Sequence, residues 1–241
     1  MNAPLPTGWL VPDWPAPPNV GAACSVRTGG VSHGPYESLN LGVHVGDAPE
    51  AVAQNRGRFA QALGTRPVFL NQVHGMGVVE LDAATPDGTQ ADACWTHQRG
   101  VACTIMVADC LPVLWADTRG RCVAAAHAGW RGLVGKGGHG VLESLWARWW
   151  PQLASDPEEA ARSTVVWLGP CIGPGTFEVG GEVREAFVAA DAHAQSRFQP
   201  LAGGKWLADL PRLARAPLAR IGLHRGDGDG GGGPPARRGG G

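Results

Sequence analysis

The sequence of 241 residues lacks any long uninterrupted run of apolar residues. No stretch reaches the roughly 18 apolar residues that a membrane-spanning helix needs. The first residues carry scattered prolines and tryptophans, but neither the basic region nor the continuous apolar region of a signal peptide. These absences predict a cytoplasmic protein with no membrane segment.

The sequence also lacks an excess of charge of either sign and any Cys-x-x-Cys spacing. Lys plus Arg number 20 and Asp plus Glu number 21, so no global basic field favours nucleic acid or an anionic membrane. Six cysteines are present, and without an export signal we expect them to be reduced. A nucleic-acid partner and a disulfide framework are both disfavoured.

What is present supports a large buried core. Hydrophobic residues make up 44% of the chain and charged residues 17%. Predicted strands and helices alternate, which is typical of the α/β class and compatible with one large domain or two small ones. We predict a Pro/Trp-rich segment over 1–24, a folded region over 25–225, and a disordered Gly-rich tail over 226–241.

Three stretches predict helices from the spacing of their apolar residues. The stretch 49–63 repeats apolar residues at helical spacing and is followed by Gly64, a typical helix C-cap. The stretch 141–150 carries a wide apolar stripe that includes three tryptophans, which we expect in the core. The stretch 206–220 also indicates a helix.

Three residues of ligand type stand at the ends of apolar strands: His74, Cys110 and His127. Two imidazoles and a thiolate suit a borderline-soft divalent metal, and three protein ligands leave a fourth tetrahedral position open, as in catalytic zinc sites. Their spacing matches no short metal motif, so packed or hydrogen-bonded residues are the alternative interpretation.

Charged residues near these positions are further candidates. Arg27 precedes Thr28-Gly29-Gly30, a turn that could bring its guanidinium against phosphate. Arg131 follows Trp130, and its positive charge could also bind phosphate or could hold the turn in place through an ion pair. Asp109 is a candidate proton carrier, or a carboxylate that hydrogen-bonds a metal ligand and orients it. The alternative is an aspartate that only caps a turn.

Two amide side chains are candidate contacts to a base or a ribose. Asn40 and Gln72 both lie in predicted turns. Polar residues in turns usually satisfy the backbone, and that alternative stays open for both.

Six motifs, in order and at sensible spacing, resemble those of the YfiH/laccase-domain family, whose members were formerly described as multicopper polyphenol oxidases. The resemblance extends from about residue 25 to residue 218. The motifs are Ser-Val-Arg-Thr-Gly-Gly-Val-Ser (25–32), Tyr-Glu-Ser-Leu-Asn-Leu-Gly (36–42), Asn-Gln-Val-His-Gly (71–75), Ala-Asp-Cys-Leu-Pro-Val (108–113), His-Ala-Gly-Trp-Arg-Gly (127–132) and Gly-Pro-Cys-Ile-Gly-Pro-Gly-Thr-Phe-Glu-Val-Gly (169–180).

The resemblance implies the fold of the YfiH-like cysteine hydrolases, which is a single catalytic domain with a mixed β-sheet core surrounded by helices, here over 25–225. It also implies a zinc-binding active site made of His74, Cys110 and His127. It implies phosphorolysis of adenosine, inosine, guanosine and S-methyl-5'-thioadenosine with inorganic phosphate as co-substrate. It also implies hydrolytic deamination of adenosine. In this interpretation Arg27 steers phosphate and Asp109 relays a proton.

Other activities remain open at this point. Cys110 with either histidine could form a dyad in a cysteine- or metal-dependent amidase that edits peptidoglycan precursors. Divalent copper also suits a His₂Cys site, but the chain has eight histidines and no His-x-His pair, so we expect polyphenol oxidation as a side activity at most. A binding domain without turnover is the third alternative.

The sequence departs from the family in two places. Members usually continue past the last helix with a Cys-Thr element and a Phe-Ser-Tyr-Arg-Arg-like segment, where this chain has its Gly-rich run. We expect this change to remove a strand and an arginine that contacts substrate, and to lower stability and activity. Val107 also stands where Thr is common.

Overall fold

The computed structural model describes residues 4–224, and within this range there are six α-helices, four short 3₁₀ helices and ten strands. The helices are α1 (Pro49–Leu63), α2 (Trp130–Val134), α3 (Val141–Trp149), α4 (Pro157–Arg162), α5 (Gly181–Ala190) and α6 (Leu210–Arg220). The strands are β1 (Arg66–Phe69), β2 (Val78–Glu80), β3 (Ala93–Thr96), β4 (Val101–Thr104), β5 (Leu111–Asp117), β6 (Val123–Ala128), β7 (Thr164–Leu168), β8 (Glu178–Val179), β9 (Phe198–Pro200) and β10 (Trp206–Ala208).

The main sheet has five strands in the order β2-β3-β6-β5-β7. β2 and β3 run parallel, and the other neighbouring pairs are antiparallel. A parallel pair, β1 with β4, and a three-stranded sheet in the order β8-β10-β9 complete the strand pairing of residues 4–224. The predicted α/β class, with a mixed sheet and helices in a single domain, is confirmed.

Tryptophans form the centre of the hydrophobic core, as the sequence predicts. Trp115 of β5 packs against Trp146 and Trp149 of α3, with ring centroids 6.2 and 6.1 Å apart. The indole N–H of Trp149 donates to Thr164 Oγ1 at 2.9 Å, so this buried polar group is satisfied. These contacts fix β5, whose first residue directly follows Cys110.

Asn55 of α1 organises the loops that precede the helix. Its side-chain oxygen accepts from the backbone N–H of Val31 at 2.9 Å. Its amide nitrogen donates to Ser32 Oγ and to the carbonyls of Ser38 and Asn40, at 2.9, 3.1 and 2.9 Å. Because Asn55 is fully buried, these hydrogen bonds are hard to replace by water, and they define the shape of the loop.

The helix predicted at 49–63 is confirmed as α1, and Gly64 ends it with a left-handed φ of 63°. The helix predicted over 206–220 is wrong at its start, because Trp206–Ala208 forms β10 and pairs with both β8 and β9. The helix begins only after Asp209, whose carboxylate accepts the N–H of Arg212 at 3.0 Å as an N-cap.

Two further sequence predictions concern the ends of the chain and the membrane. The predicted tail, 226–241, lies outside the described residues. Among residues 4–224, no helix combines the length and the apolar content that crossing a bilayer requires.

Asp117 ends β5 at the end away from Cys110, and its side chain is fully buried. Its carboxylate accepts from Arg121 Nε at 2.6 Å and from Arg121 Nη2 at 3.2 Å. Burial raises the pKa of Asp117, but the hydrogen bonds from Arg121 outweigh burial and leave the pKa below its ordinary value. The ionised form therefore stabilises the fold.

We expect Asp117→Asn to lower the free energy of unfolding at pH 7 by about 1–2 kcal/mol, a modest loss because Arg121 is partly exposed and screened by solvent. The folded-state pKa lies below the unfolded one, so this stability is present above about pH 4 and is lost as the pH falls through the folded value. Urea unfolding of both proteins at pH 7, 5 and 3 tests this. The difference should shrink towards pH 3, and a constant difference would contradict the assignment.

Candidate functional site

His74 lies in the turn 71–75 that follows β1, and its backbone φ is 58°. A positive φ is uncommon for a residue other than glycine and must be supported by its surroundings. The support comes from Asp92, whose carboxylate accepts the three successive N–H groups of residues 73–75 at 3.2, 2.9 and 2.7 Å. The imidazole of His74 is exposed.

Cys110 ends the bend 108–110 immediately before β5, and the bend predicted there is confirmed. The loop 169–175 supports it, because the N–H of Ile172 donates to the carbonyl of Asp109 at 2.9 Å. Cys110 is half-buried. The thiol thus lies at the point where a buried strand of the main sheet begins.

His127 lies within β6, opposite Pro112 of β5, and is only 3% exposed. Its neighbours on the strand are alanines at 124–126 and 128, all of them buried. Its Nδ1 lies 2.9 Å from Asp92 Oδ1, and its backbone N–H donates to the carbonyl of Asp92 at 2.7 Å. The ring is therefore held from the side away from Cys110.

The three predicted residues converge. The potential ligand atoms of His74, Cys110 and His127 all lie within 4.8 Å of one another. Cys110 Sγ is 3.8 Å from His74 Nε2, and the two imidazole centroids are 4.6 Å apart. Gly129 faces the same point, since a Cβ there would lie 2.9 Å from His74 Cδ2 and 3.0 Å from Cys110 Sγ. We call these three side chains the His/Cys cluster.

Electrostatics differ between the two histidines. Burial lowers the pKa of His127, but hydrogen bonds to the Asp92 carboxylate and the Cys110 thiol outweigh it and raise the pKa to about 9. The pKa of His74 is lowered, first by burial and then by the positive charge of His127. Burial also raises the pKa of Asp92, yet hydrogen bonds from His127 and from the backbone leave it below its ordinary value.

The donor set fits a zinc ion. Two imidazole nitrogens and one thiolate are common zinc ligands, and Zn–N of about 2.0–2.1 Å with Zn–S of about 2.3 Å place tetrahedral donors roughly 3.3–3.6 Å apart. The donors here lie 3.8 Å apart for the Sγ–Nε2 pair and at most 4.8 Å apart overall, so binding an ion would draw the three side chains closer together. The absence of a side chain at Gly129 lets His74 and Cys110 approach each other closely, and divalent copper suits the same ligands.

The three charged residues that the sequence predicts for the site have different surroundings from one another in the structure. Arg131 lies over the ring of Trp130, 4.4 Å from the ring centroid, and its charge contributes to the lowered pKa of His74. Asp109 is exposed beside the cluster, and within residues 4–224 its carboxylate has no hydrogen-bond partner. Arg27 donates from Nε and Nη2 to the carbonyl of Glu37, at 2.8 and 2.5 Å.

The two predicted amides are engaged with the protein itself. Gln72 donates to the carbonyl of Met106 and accepts from its N–H, both at 2.8 Å, which ties the His74 turn to the segment before Cys110. Asn40 donates to the carbonyl of Gly42 at 3.1 Å and to Asp47 Oδ2 at 2.9 Å. In the structure both side chains shape loops.

Asp92 is the site residue that the sequence analysis did not identify. Its side chain is fully buried and contacts both histidines of the cluster through the bonds described above. A signal existed: an aspartate between Ala91 and Ala93, at the start of a buried apolar strand, needs partners that satisfy its charge.

The fold is a mixed β-sheet with helices, and its His/Cys cluster is formed by a residue within β6, a residue directly before β5 and a residue in the turn after β1. Comparison with known sequences identifies the family. The family model described as multi-copper polyphenol oxidoreductase laccase matches residues 21–232. The chain belongs to this family, as the motifs predict.

Relatives with high identity cover most of the chain. A purine nucleoside phosphorylase of Pseudomonas aeruginosa is 52% identical over 225 residues, which is 93% of this chain and 84% of that protein. The purine nucleoside phosphorylase YfiH of Escherichia coli is 48% identical over 218 residues, covering 90% and 84%.

Solved structures of other proteins superpose on this fold. Neisseria meningitidis protein NMB0706 superposes with a TM-score of 0.82 at 44% identity, covering 91% of this chain and 86% of that one. The hypothetical protein YfiH of Bacillus licheniformis has a TM-score of 0.72 at 25% identity, covering 83% and 78%. The YfiH-like fold predicted from the motifs is confirmed.

We expect Gly129→Ala to weaken zinc binding, because the added methyl group would crowd His74 and Cys110. Overpacking costs about 1–3 kcal/mol, which corresponds to roughly 5- to 150-fold in affinity. Gly57→Ala is the matched control, since Gly57 is an exposed residue of α1 with open space around it, and alanine there should raise stability slightly. Competition with a chromogenic chelator measures both affinities, and wild-type affinity in Gly129→Ala would show that position 129 does not border the ion.

Proposed function

We propose that this protein is a zinc-dependent purine nucleoside enzyme. It would phosphorolyse adenosine, inosine, guanosine and S-methyl-5'-thioadenosine to the base and (methylthio)ribose 1-phosphate, and deaminate adenosine to inosine. The observation that carries the proposal is the convergence of His74, Cys110 and His127 within 4.8 Å. Relatives of 52% and 48% identity that are named purine nucleoside phosphorylases support the substrate class.

His74, Cys110 and His127 would hold the ion, with the fourth position open to water or substrate. A zinc ion held by these residues would supply Lewis acidity for activating water or polarising a substrate oxygen. His127 is buried and His74 is exposed, so substrate reaches the cluster from the side of His74.

The surrounding residues have proposed roles in binding and proton transfer. Asp109 is exposed and directly precedes Cys110, and among residues 4–224 its carboxylate has no hydrogen-bond partner, so it would carry a proton to or from the substrate. Arg131, whose charge acts on His74, and Arg27 would hold phosphate against the ribose as the base departs. Asn40 and Gln72 would contact base or ribose only by exchanging their present hydrogen bonds.

The first test is mass-spectrometric product analysis of adenosine incubated with the protein, with and without phosphate, alongside Cys110→Ala. We expect adenine and ribose 1-phosphate when phosphate is present and inosine when it is absent. Cys110→Ala should lose both activities and the metal while keeping its fold, because it removes one of three ligands. A folded, zinc-loaded wild-type protein that forms neither product would refute the proposed function, and unchanged metal stoichiometry in the variant would refute the three-ligand site.

Arg27 can be tested separately from the chemistry of the cluster. We expect Arg27→Ala to raise the KM for phosphate about 10- to 100-fold, the value of a charged hydrogen bond, and to affect deamination much less. Arg58→Ala is the control, because Arg58 donates to the carbonyl of Gly29 in the same loop at 2.8 Å. Equal losses in phosphorolysis and deamination would count against an arginine dedicated to phosphate.

A cysteine-dependent amidase is the second candidate, and one geometric observation favours it. Asp92, His127 and Cys110 form a chain in which a carboxylate orients an imidazole that faces a thiol, the arrangement of a cysteine nucleophile with its base. Removing metal with a chelator separates the candidates, because a dyad retains turnover and a zinc enzyme loses it. Oxidation of phenols by bound copper is a side activity consistent with the ligand set and the family description.

A further inference from the structure

The carboxylate of Asp92 connects the two histidines of the His/Cys cluster. Oδ1 lies 2.9 Å from the backbone nitrogen of His74 and 2.9 Å from His127 Nδ1. Oδ2 accepts the N–H groups of Val73 at 3.2 Å and Gly75 at 2.7 Å. The side chain is fully buried, so water does not compete for these bonds.

These contacts determine which nitrogen of His127 carries a hydrogen. A carboxylate has about four acceptor positions, and four N–H donors occupy them here. A hydrogen on either carboxylate oxygen would point at another donor, so Asp92 can only accept and Nδ1 of His127 must donate. Nε2 of His127 is then directed towards Gly129 and the cluster, since a Cβ at 129 would lie 3.7 Å from it.

The same carboxylate also holds His74. Its three bonds to residues 73–75 stabilise the left-handed backbone at His74, and that backbone presents Nε2 towards Cys110 Sγ at 3.8 Å. The backbone carbonyl of Asp92 adds a bond to the N–H of His127 at 2.7 Å. One residue therefore sets the orientation of both rings.

We infer that Asp92 is the positioning residue of the site: its carboxylate selects the Nδ1–H form of His127 and the left-handed turn at His74, so that both imidazoles present Nε2 to one point beside Cys110. The inference rests on the proposed zinc site and adds a residue to it. Partners that orient metal-binding histidines typically change metal affinity 10- to 100-fold when they are replaced.

Asp92→Asn is the sharpest variant because it keeps the size of the side chain. Whichever way the amide is turned, its NH₂ group faces two N–H donors that the carboxylate oxygen had accepted. Asp117→Asn is the matched control, since Asp117 is also an aspartate with a fully buried side chain but lies at the far end of β5.

Three measurements decide the inference: the zinc dissociation constant, the absorption spectrum of the cobalt-substituted protein, and the unfolding of the metal-free protein. We expect Asp92→Asn to bind zinc about 10- to 100-fold more weakly and to change the cobalt–thiolate bands. Asp117→Asn should lower stability and leave both metal readouts unchanged. Wild-type zinc affinity and an unaltered cobalt spectrum in a folded Asp92→Asn would overturn the inference.

A measurement on the wild-type protein covers the case in which Asp92→Asn does not fold. In ¹⁵N-resolved NMR of the histidine rings, at a pH where the His127 ring is neutral, Nδ1 should carry the ring hydrogen and Nε2 should be bare, whereas a bare Nδ1 with the hydrogen on Nε2 would overturn the inference. If the wild type bound no zinc, the proposed function would fail, and the ring hydrogen alone would decide whether Asp92 orients His127.

Discussion

A single buried negative charge, the carboxylate of Asp92, links the segments that carry the candidate site. A carboxylate removed from water is costly unless donors replace its hydration, and here three backbone N–H groups and one imidazole do so. The donors come from the His74 turn and from β6, which are separated along the sequence. Satisfying one charge therefore brings two distant histidines into a common geometry.

The rest of the fold makes this geometry rigid. β6 lies between β3 and β5 in the main sheet, so His127 is held by hydrogen-bonded neighbours on both sides. Cys110 precedes β5, and the tryptophan packing of Trp115 against α3 fixes that strand. Gln72 joins the His74 turn to the segment before Cys110. His74 and Cys110 thus lie in a turn and a bend next to strands, whereas His127 and Asp92 are buried. Such a division between loops and a rigid scaffold is common in enzymes.

The same arrangement is compatible with two kinds of chemistry, and the metal distinguishes them. With zinc, the imidazole of His127 would be one ligand and the thiol of Cys110 another. Without metal, the same imidazole would be the base next to a cysteine nucleophile. The family description refers to copper oxidation, whereas relatives of about half identity are named for nucleoside phosphorolysis, so neither name alone determines the chemistry of the cluster.

Much of the architecture and part of the site were determined by the sequence itself. Apolar spacing predicted α1 and its glycine cap, and the tryptophan stripe predicted the core of α3, because these patterns are local. The motifs identified the three residues that converge, through resemblance to a family. Local patterns did not reveal β10, because Trp206–Ala208 becomes a strand only by pairing with β8 and β9.

Only the tertiary structure decided how the polar side chains are used. Gln72 and Asn40 looked like substrate contacts in isolation, yet each satisfies groups far along the chain or in its own loop. Asp92 carried no motif, since its partners at 73–75 and 127 are defined by spatial proximity and not by sequence spacing. A hydrogen bond depends on distances of a few ångströms between segments that only the folded chain brings together. For that reason the reactive groups could be predicted from the sequence, whereas the residue that orients them could be identified only in the structure.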